Sequence, residues 1–413
     1  MADIETFVIV GASLAGAKAA EGLREEGFTG RIVLIGEEPY RPYERPPLSK
    51  GFLLGTSPRE EVFVHPEGWY AEHDVDLRLS TRVVSLDRAA REVVLDGGER
   101  IGYDRLLLTT GSEPRHLNVP GSAADGVLYL RRLEDSERLR EAYTKATRVA
   151  IIGAGWIGLE TAAAARAAGL DVTVLEAAEL PLLRVLGPEV AQVFADLHVE
   201  HGVALRLGVQ VARLTTSAIP GKTSAVTGVE LRDGTVIRAD LVLIGVGITP
   251  VVSLAADAGL DVTNGVRVDE HLRTGDPAVF AAGDVANAYH PTLRREVRVE
   301  HWENARRQGA LVAKTMLGQD VVFDRLPYFF SDQYDLGMEY VGYVAPGEYD
   351  QVVLRGDVAK REFLAFWLSD GRVLAGMNVN VWDVVGEVEE LIGRGRQVDV
   401  ARLADVAVPL AEV

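Results

Sequence analysis

The chain has 413 residues, which is too many for a single hydrophobic core and suits two or three domains. Its net charge of −18 argues against nucleic acid as a partner, because nucleic acid is bound by a basic surface. No stretch approaches the roughly 18 apolar residues of a membrane span, and the acidic start does not resemble a signal peptide. We therefore expect a cytoplasmic protein that does not bind a membrane.

The sequence contains no cysteine. Disulfides, thiolate nucleophiles, iron–sulfur clusters and cysteine-ligated zinc are therefore excluded. The eight histidines show no close ligand spacing, so we also expect no metal site. Any redox chemistry of this protein must depend on a bound organic cofactor.

The first predicted elements form a strand, a glycine-rich turn, a helix and a second strand over residues 6–37. Residues 148–176 repeat this order, so that Gly11 corresponds to Gly153 and Gly16 to Gly158. In such a unit the turn glycines let the backbone approach a pyrophosphate, and the following helix directs its free N–H groups at the phosphate charge. The second copy has the complete GxGxxG pattern, whereas Ser13 replaces the middle glycine of the first. The alternative for the first copy is a turn that only packs a helix on a strand.

Further strands follow each copy of the repeat. Residues 81–113 and 228–250 each read as a hairpin that leads into a buried strand and a glycine turn. The segment VFAAGDVA (279–286) is predicted to be an apolar strand that leads into Gly283-Asp284. A helix is predicted from about Trp302 to Leu317. From about Pro327 the sequence becomes rich in aromatic strands, which indicates a separate α+β domain.

The motifs GASLAG, RPPLSK, TTGSEPR, GAGWIGLE, GVGITP, AAGDVA, EHWENA and PYFFSDQYD occur in this order between residues 11 and 335. This order resembles the FAD-dependent, NADH-using ferredoxin reductases of bacterial oxygenase and cytochrome P450 systems, the putidaredoxin reductase-like family. The resemblance implies a glutathione-reductase-like α/β fold with two Rossmann-like dinucleotide-binding domains and a C-terminal α+β domain. It implies a split FAD domain (1–112 and 243–322), an NADH domain (113–242) and a C-terminal domain (323–413). Branches of this fold that use redox cysteines are excluded, because the chain has none.

The resemblance also implies which residues bind FAD. They are Gly11, Ala15, Gly16, Glu37, Arg45, Lys50, Val83, Thr110, Gly111, Arg131, Asp284 and Trp302. Lys50 is expected beside the reactive flavin nitrogen, paired with Glu160, and these two residues are the predicted catalytic pair. The alternatives are that Arg45 and Lys50 are ordinary cations of a solvated loop, and that Asp284 is a helix N-cap.

A second set of residues is expected to bind NADH. It comprises Gly153, Gly155, Ile157, Gly158, Glu160, Glu176 and Gly247. Glu176 should favour NADH over NADPH, because its carboxylate accepts hydrogen bonds from a ribose but repels a 2′-phosphate. Glu160 is expected at the nicotinamide carboxamide, and its alternative is a solvent-facing acid on the helix surface.

The implied activity is hydride transfer from NADH to FAD, followed by single-electron transfer to a small ferredoxin. An acidic ferredoxin needs a basic docking surface, and the densest cationic stretch comprises Arg294, Arg295, Arg298, Arg306 and Arg307. We expect docking near Arg306 and Arg307, although these arginines could also form an ordinary solvated face. One departure from the family is Phe330, which stands where many members have tryptophan, and Trp382 could fill part of that space.

Other activities fit the same motifs. One is an NADH-dependent reductase of quinones, monodehydroascorbate or dioxygen, and another is a redox sensor similar to apoptosis-inducing factor. The sequence leaves these alternatives open, and it is compatible with either a monomer or a homodimer.

Overall fold

The computed structural model describes residues 4–217 and 223–413. The acidic start, Met1 to Asp3, lies outside the described residues. The chain divides into two compact units. The first comprises Met1–Glu44 (as far as it is described), Arg59–Glu113 and Thr249–Pro327, and the second comprises Arg45–Pro58, Pro114–Ile248 and Tyr328–Val413. The three-domain division given above stays a prediction.

The strands of the described residues, in chain order, are β1 (Thr6–Val10), β2 (Arg31–Ile35), β3 (Val75–Arg78), β4 (Val83–Asp87), β5 (Glu92–Leu95), β6 (Arg100–Gly102), β7 (Arg105–Leu108), β8 (Ser112–Pro114), β9 (Val127–Leu128), β10 (Arg148–Ile152), β11 (Asp171–Leu175), β12 (Ala204–Arg206), β13 (Val211–Ser217), β14 (Ala225–Leu231), β15 (Val236–Arg238), β16 (Leu241–Ile244), β17 (Ile248–Pro250), β18 (Val262–Thr263), β19 (Gly265–Val268), β20 (Val279–Ala281), β21 (Ala286–His290), β22 (Arg295–Val297), β23 (Tyr328–Gln333), β24 (Leu336–Gly342), β25 (Gln351–Asp357), β26 (Glu362–Ser369) and β27 (Arg372–Val379).

The α-helices are α1 (Leu14–Glu25), α2 (Gly51–Leu54), α3 (Trp69–Glu72), α4 (Leu133–Tyr143), α5 (Trp156–Ala167), α6 (Leu183–Glu200), α7 (Ser253–Asp257), α8 (Trp302–Met316), α9 (Val385–Arg394) and α10 (Val400–Ala404). Short 3-10 helices cover Pro46–Ser49, Arg59–Val62, Gly283–Val285 and Leu410–Glu412. Within the described residues, none of the helices is long and apolar enough to cross a bilayer.

The first unit is built on a parallel sheet with the strand order β20-β7-β1-β2-β3. After a polar first residue, strands β1, β2 and β7 consist of valine, isoleucine, leucine and phenylalanine that are almost completely buried, as a sheet covered on both faces requires. Helix α1 packs closely on α8, because Gly22 and Gly309 leave no side chain between them. The antiparallel strands β4 to β6 and the sheet β18-β19-β21-β22 complete this unit.

The second unit contains a sheet of the same design, with the order β12-β11-β10-β16-β9 and parallel pairing throughout. Strand β10 takes the place of β1, β11 that of β2 and β16 that of β7. The backbone hydrogen bonds repeat as well, since Gly11 N donates to Ile35 O and Gly153 N donates to Leu175 O, both at 2.8 Å. The internal repeat predicted from the sequence is therefore present in the fold.

The C-terminal segment of the second unit forms an antiparallel sheet with the order β23-β24-β27-β26-β25. Helix α9 packs on β24 and β27. Trp367 of β26 is fully buried and donates from its indole nitrogen to the carbonyl oxygen of Leu186 in α6, at 3.1 Å. The C-terminal sheet and α6 thus share one hydrophobic core.

Candidate active site

The first glycine-rich turn lies at the carboxyl edge of the sheet in the first unit. Gly11 follows β1 with φ at +119°, and a Cβ atom there would lie 2.2 Å from the carbonyl oxygen of Thr109. A Cβ atom on Gly16 would lie 2.2 Å from the carbonyl oxygen of Gly11. These two glycines therefore let α1 begin directly above the strand. The first N–H groups of α1 lack acceptors within the helix, which suits them to bind a phosphate.

Ser13 is compatible with this turn. Its φ and ψ are −121° and −164°, an extended conformation that any residue adopts. The corresponding Gly155 is also extended, and a Cβ atom added to Gly155 would meet no protein atom within 4 Å. The open space beside Gly155 is what the close approach of a pyrophosphate requires, so the second turn fits a dinucleotide, and Ser13 lets the backbone of the first turn take the same extended path.

Other predicted FAD residues lie at the same sheet edge, because parallel strands end there together. Thr110 and Gly111 follow β7, where the Thr110 hydroxyl donates to the carbonyl oxygen of Val251 at 2.7 Å. Asp284 follows β20 within the 3-10 helix Gly283–Val285, whose N-cap residue is Ala282, so the alternative of Asp284 as a helix N-cap is wrong. Glu37 follows β2 and is exposed.

Two more predicted FAD residues belong to the first unit. Trp302 begins α8, and a Cβ atom on Gly309 of this helix would lie 2.4 Å from the carbonyl oxygen of Ala15, so α8 contacts the helix that follows the first turn. Val83 begins β4 and packs on the core of the unit. Arg45, Lys50 and Arg131 belong instead to the second unit.

The second turn repeats this geometry in the second unit. A Cβ atom on Gly153 would lie 2.3 Å from the carbonyl oxygen of Gly245, and one on Gly158 would lie 2.1 Å from that of Gly153. Ile157, in the first turn of α5, is 44% exposed. Gly247 follows β16, and its carbonyl oxygen accepts a hydrogen bond from Arg115 N at 2.9 Å.

Glu176 contributes to the second turn itself. One of its carboxylate oxygens accepts a hydrogen bond from Ala154 N at 2.7 Å, and the other accepts one from Ala178 N at 2.9 Å. In the first unit the residue at the corresponding position is Gly36, where a Cβ atom would lie 2.5 Å from the Cβ of Ala12. Glu37 is therefore one residue beyond the structural counterpart of Glu176.

Lys50 and Glu160 form an ion pair in the second unit, with 2.7 Å between Lys50 Nζ and Glu160 Oε2. The Glu160 side chain is 5% exposed and that of Lys50 is 21% exposed. Ser49 Oγ donates to Glu160 Oε2 at 2.5 Å, and Ser331 Oγ donates to Glu160 Oε1 at 2.7 Å. Three donors thus converge on one buried carboxylate. Glu160 is not a solvent-facing acid and Lys50 is not a freely solvated cation.

Aromatic side chains lie beside this ion pair. Lys50 Nζ lies 5.8 Å from the centroid of the Phe330 ring. Phe329 stacks on Tyr340 at 4.8 Å and meets Trp156 edge-on at 5.2 Å. The Phe330 ring therefore lies near the Lys50 ammonium group, which stays partly exposed.

Arg45 and Arg131 flank structured segments of the second unit. The carbonyl oxygen of Arg45 accepts a hydrogen bond from Leu48 N at 2.9 Å at the start of the 3-10 helix Pro46–Ser49. Arg131 N donates to Asp135 Oδ2 at 3.1 Å, just before α4. These contacts fix the backbone at both positions.

The basic stretch in the first unit is partly neutralised. Arg306 Nε and Nη2 donate to the two oxygens of Glu303 at 2.6 and 2.7 Å, and Arg307 also donates to Glu303. Burial would raise the pKa of Glu303, but the hydrogen bonds from the two arginines outweigh it and the pKa is lowered. Arg298 forms an ion pair with Glu300. Arg306, Arg307 and Glu303 together therefore carry one positive charge.

Sequence reasoning missed the polar residues around Glu160. Ser49 and Ser331 lie within recognised motifs but received no role, and Gln333 and His198 extend the same hydrogen-bond network. Two polar residues spaced two apart in the aromatic strand β23 were a signal, because such residues share one face of a strand.

Comparisons with known proteins find similar chains over nearly the whole length of this one. A family model described as pyridine nucleotide-disulphide oxidoreductase matches residues 5–309, and one described as reductase C-terminal matches residues 328–413. The chain is 42% identical to the anthranilate 1,2-dioxygenase system ferredoxin–NAD(+) reductase component of Burkholderia cepacia, over 98% of each chain. It is 38% identical to putidaredoxin reductase CamA of Pseudomonas putida, over 99% of this chain and 96% of the relative.

Two solved structures resemble the whole chain. The ferredoxin reductase for the CYP199A2 system from Rhodopseudomonas palustris has a TM-score of 0.93 at 38% identity, covering 99% of this chain and 100% of that chain. The covalent putidaredoxin reductase–putidaredoxin complex has a TM-score of 0.94 at 38% identity, covering 99% and 97%. The predicted fold class is confirmed, as are the cofactors FAD and NADH that the family implies. The chain belongs to the pyridine nucleotide-disulphide oxidoreductase family, among its ferredoxin–NAD(+) reductases.

Proposed function

We propose that this protein takes hydride from NADH onto FAD and passes single electrons to a small iron–sulfur ferredoxin that serves a cytochrome P450 or an oxygenase. The observation that carries the proposal is the buried Lys50–Glu160 ion pair in a chain that has two dinucleotide turns and no cysteine. Bound FAD supplies the conversion between a two-electron donor and one-electron acceptors. Without a thiol, the protein has no disulfide route for the same electrons.

Each group of residues has one proposed task. The first turn and the sheet edge that carries Thr110, Gly111 and Asp284 hold FAD, together with Ala15, Val83, Arg45, Arg131 and Trp302. The second turn, Ile157 and Gly247 hold NADH, and Glu176 accepts hydrogen bonds from its ribose. Glu160 accepts a hydrogen bond from the nicotinamide carboxamide, and Lys50 supplies positive charge near the atom that accepts hydride. The corresponding domains are 1–112 with 243–322 for FAD, 113–242 for NADH and 323–413 as the C-terminal α+β domain.

The proposed partner is acidic and docks near Arg306 and Arg307, the latter with a 32% exposed side chain. A relative with solved structure forms a covalent complex with putidaredoxin, which supports an iron–sulfur partner for this chain. The net positive charge of the cluster formed by Glu303, Arg306 and Arg307 supports electrostatic steering of such a partner. We place the activity in the cytoplasm, where NADH is supplied, and the oligomeric state stays a prediction.

The test is a stopped-flow experiment on the FAD-loaded protein. Lys50→Met should slow reduction by NADH at least tenfold, because about 1.4 kcal/mol of electrostatic stabilisation is worth a factor of ten in rate. Lys145→Met is the matched control, since Lys145 pairs with Glu141 at an exposed position of the same unit. Wild-type protein reduced by NADH should then reduce a ferredoxin in a second mixing step. Quinone reduction without ferredoxin reduction would overturn the proposal.

A further inference from the structure

A continuous chain of side-chain hydrogen bonds leads from Glu160 to helix α6. Ser331 Oγ donates to Glu160 Oε1 at 2.7 Å, and Gln333 Nε2 donates to Ser331 Oγ at 3.2 Å. Gln333 Oε1 lies 2.8 Å from His198 Nε2. Ser331, Gln333 and His198 are each at most 1% exposed. Water therefore has almost no access to these groups, and each must find its hydrogen-bond partner within the chain.

The fold explains why these residues meet. Ser331 and Gln333 are two apart in β23, so both side chains lie on its buried face, while Asp332 between them is exposed. Glu160 lies on α5 and His198 near the end of α6, and the two helices belong to the same unit as β23. The chain of hydrogen bonds thus connects three elements.

The order of donors along this chain is fixed. The Ser331 hydroxyl has one proton, which it gives to the Glu160 carboxylate, so its oxygen must accept the N–H of Gln333. The Gln333 carbonyl oxygen then faces His198 and can only accept. His198 must therefore carry its proton on Nε2. Burial lowers the pKa of His198 from 6.5 to about 4, so the ring is neutral at pH 7 and Nδ1 is an acceptor. The Tyr334 hydroxyl lies 3.4 Å from this Nδ1.

We propose that Ser331, Gln333 and His198 are positioning residues, which hold the Glu160 carboxylate in place through one obligatory direction of hydrogen bonding. His198 is the far end of this arrangement and is locked as the Nε2–H tautomer. The inference rests on the proposed function in one respect, namely that Glu160 receives the nicotinamide carboxamide of NADH. The proton on His198 Nε2 follows from the geometry alone, and burial of the ring leaves Nδ1 unprotonated.

The opposite direction of hydrogen bonding is unfavourable because of the Glu160 carboxylate. If the Gln333 amide were turned over, Ser331 would donate to Gln333 and present only lone pairs to the carboxylate at 2.7 Å. Two acceptors at that distance without a proton repel each other, and a buried polar group without its partner is costly. The negative charge of Glu160 therefore determines which ring nitrogen of His198 carries the proton, through the side chains of Ser331 and Gln333.

The first experiment measures the tautomer by ¹⁵N NMR of histidine-labelled, FAD-loaded protein without NADH. We expect protonated Nε2 and unprotonated Nδ1 at His198 between pH 6 and pH 8. In Ser331→Ala the Gln333 amide is no longer oriented, so His198 should become a mixture of tautomers, and Ser331→Thr should restore the single form. An Nδ1–H tautomer in the wild type, or a spectrum unchanged in Ser331→Ala, would overturn the proposal.

The second experiment separates positioning from folding. Ser331→Ala should lower the limiting rate of flavin reduction by NADH about tenfold, in line with the loss of one hydrogen bond to a charged group. Ser331→Thr should recover most of that rate, and Ser217→Ala, at an exposed position of the same unit, should not change it. Full reduction rates in Ser331→Ala would overturn the positioning role. If NADH does not reduce the flavin of the wild type, the proposed function is wrong. The NMR experiment would then still decide whether the His198 tautomer is as proposed.

Discussion

Glu176 has two tasks in this structure, so replacing it should change both cofactor choice and stability. Its two carboxylate oxygens accept backbone hydrogen bonds from Ala154 and Ala178. Glu176→Arg removes both acceptors and introduces a cation that can pair with a 2′-phosphate. A hydrogen bond to a charged group contributes about 1.5–3 kcal/mol when buried. Because Glu176 is only half-buried, we expect a loss of about 2 kcal/mol for the two bonds together.

The assay compares kcat/KM for NADH and NADPH and the thermal midpoint of the NADH-binding unit. Wild-type protein should prefer NADH at least tenfold, roughly 1.4 kcal/mol. Glu176→Arg should narrow or reverse this preference while Tm falls by about 5 °C, at roughly 2–4 °C per kcal/mol. Glu176→Gln should lose less stability than Glu176→Arg, because its amide oxygen can still accept one of the two hydrogen bonds.

Two results would refute this reasoning. Equal use of NADH and NADPH by the wild type would show that Glu176 does not select the cofactor. A Glu176→Arg protein with unchanged Tm would show that the bonds to Ala154 and Ala178 contribute little to the turn. If the cofactor preference changes while Tm stays the same, Glu176 selects the cofactor but does not stabilise the turn.

Three further predictions follow from the geometry. Gly158→Ala should abolish NADH binding in a titration and lower Tm, because its Cβ would lie 2.1 Å from the carbonyl oxygen of Gly153. The free energy of unfolding should fall by up to about 3 kcal/mol as the pH drops from 6.5 to about 4, because the unfolded chain protonates His198 at a higher pH than the folded one. Urea titrations at several pH values measure this fall, and the part of it that comes from His198 should be absent in His198→Phe. Arg306→Gln combined with Arg307→Gln should raise KM for the ferredoxin and flatten its dependence on salt, with NADH reduction unchanged; a wild type insensitive to salt would contradict steering.

Much of the fold could be predicted because it follows from local patterns. Buried strands such as β1 and β10 are apolar after their first residue, and the turns at Gly11 and Gly153 need a left-handed conformation that favours glycine. The helix predicted from about Trp302 to Leu317 spans Trp302–Met316. Each of these features depends on a few consecutive residues, so one sequence is enough to recognise them.

The environment of Glu160 could not be predicted in the same way. Its donors Ser49 and Ser331 lie 111 and 171 residues away in the sequence, and only the folded second unit brings them together. The partial neutralisation of the basic stretch, in contrast, could have been predicted from the sequence. Glu303 precedes Arg306 and Arg307 by three and four residues in a predicted helix, which is the spacing of helical ion pairs.

The two dinucleotide turns also show how one backbone can serve two chemistries. In both, paired glycines remove the Cβ atoms that would keep the helix from the strand, so the packing is the same. They differ at the residue after the second strand. In the first turn this residue is Gly36, and the acid Glu37 follows one position later. In the second turn it is Glu176, whose carboxylate is built into the turn. Selection of the nucleotide is therefore tied to folding in the second unit, because the carboxylate that would select the cofactor also accepts two backbone hydrogen bonds there.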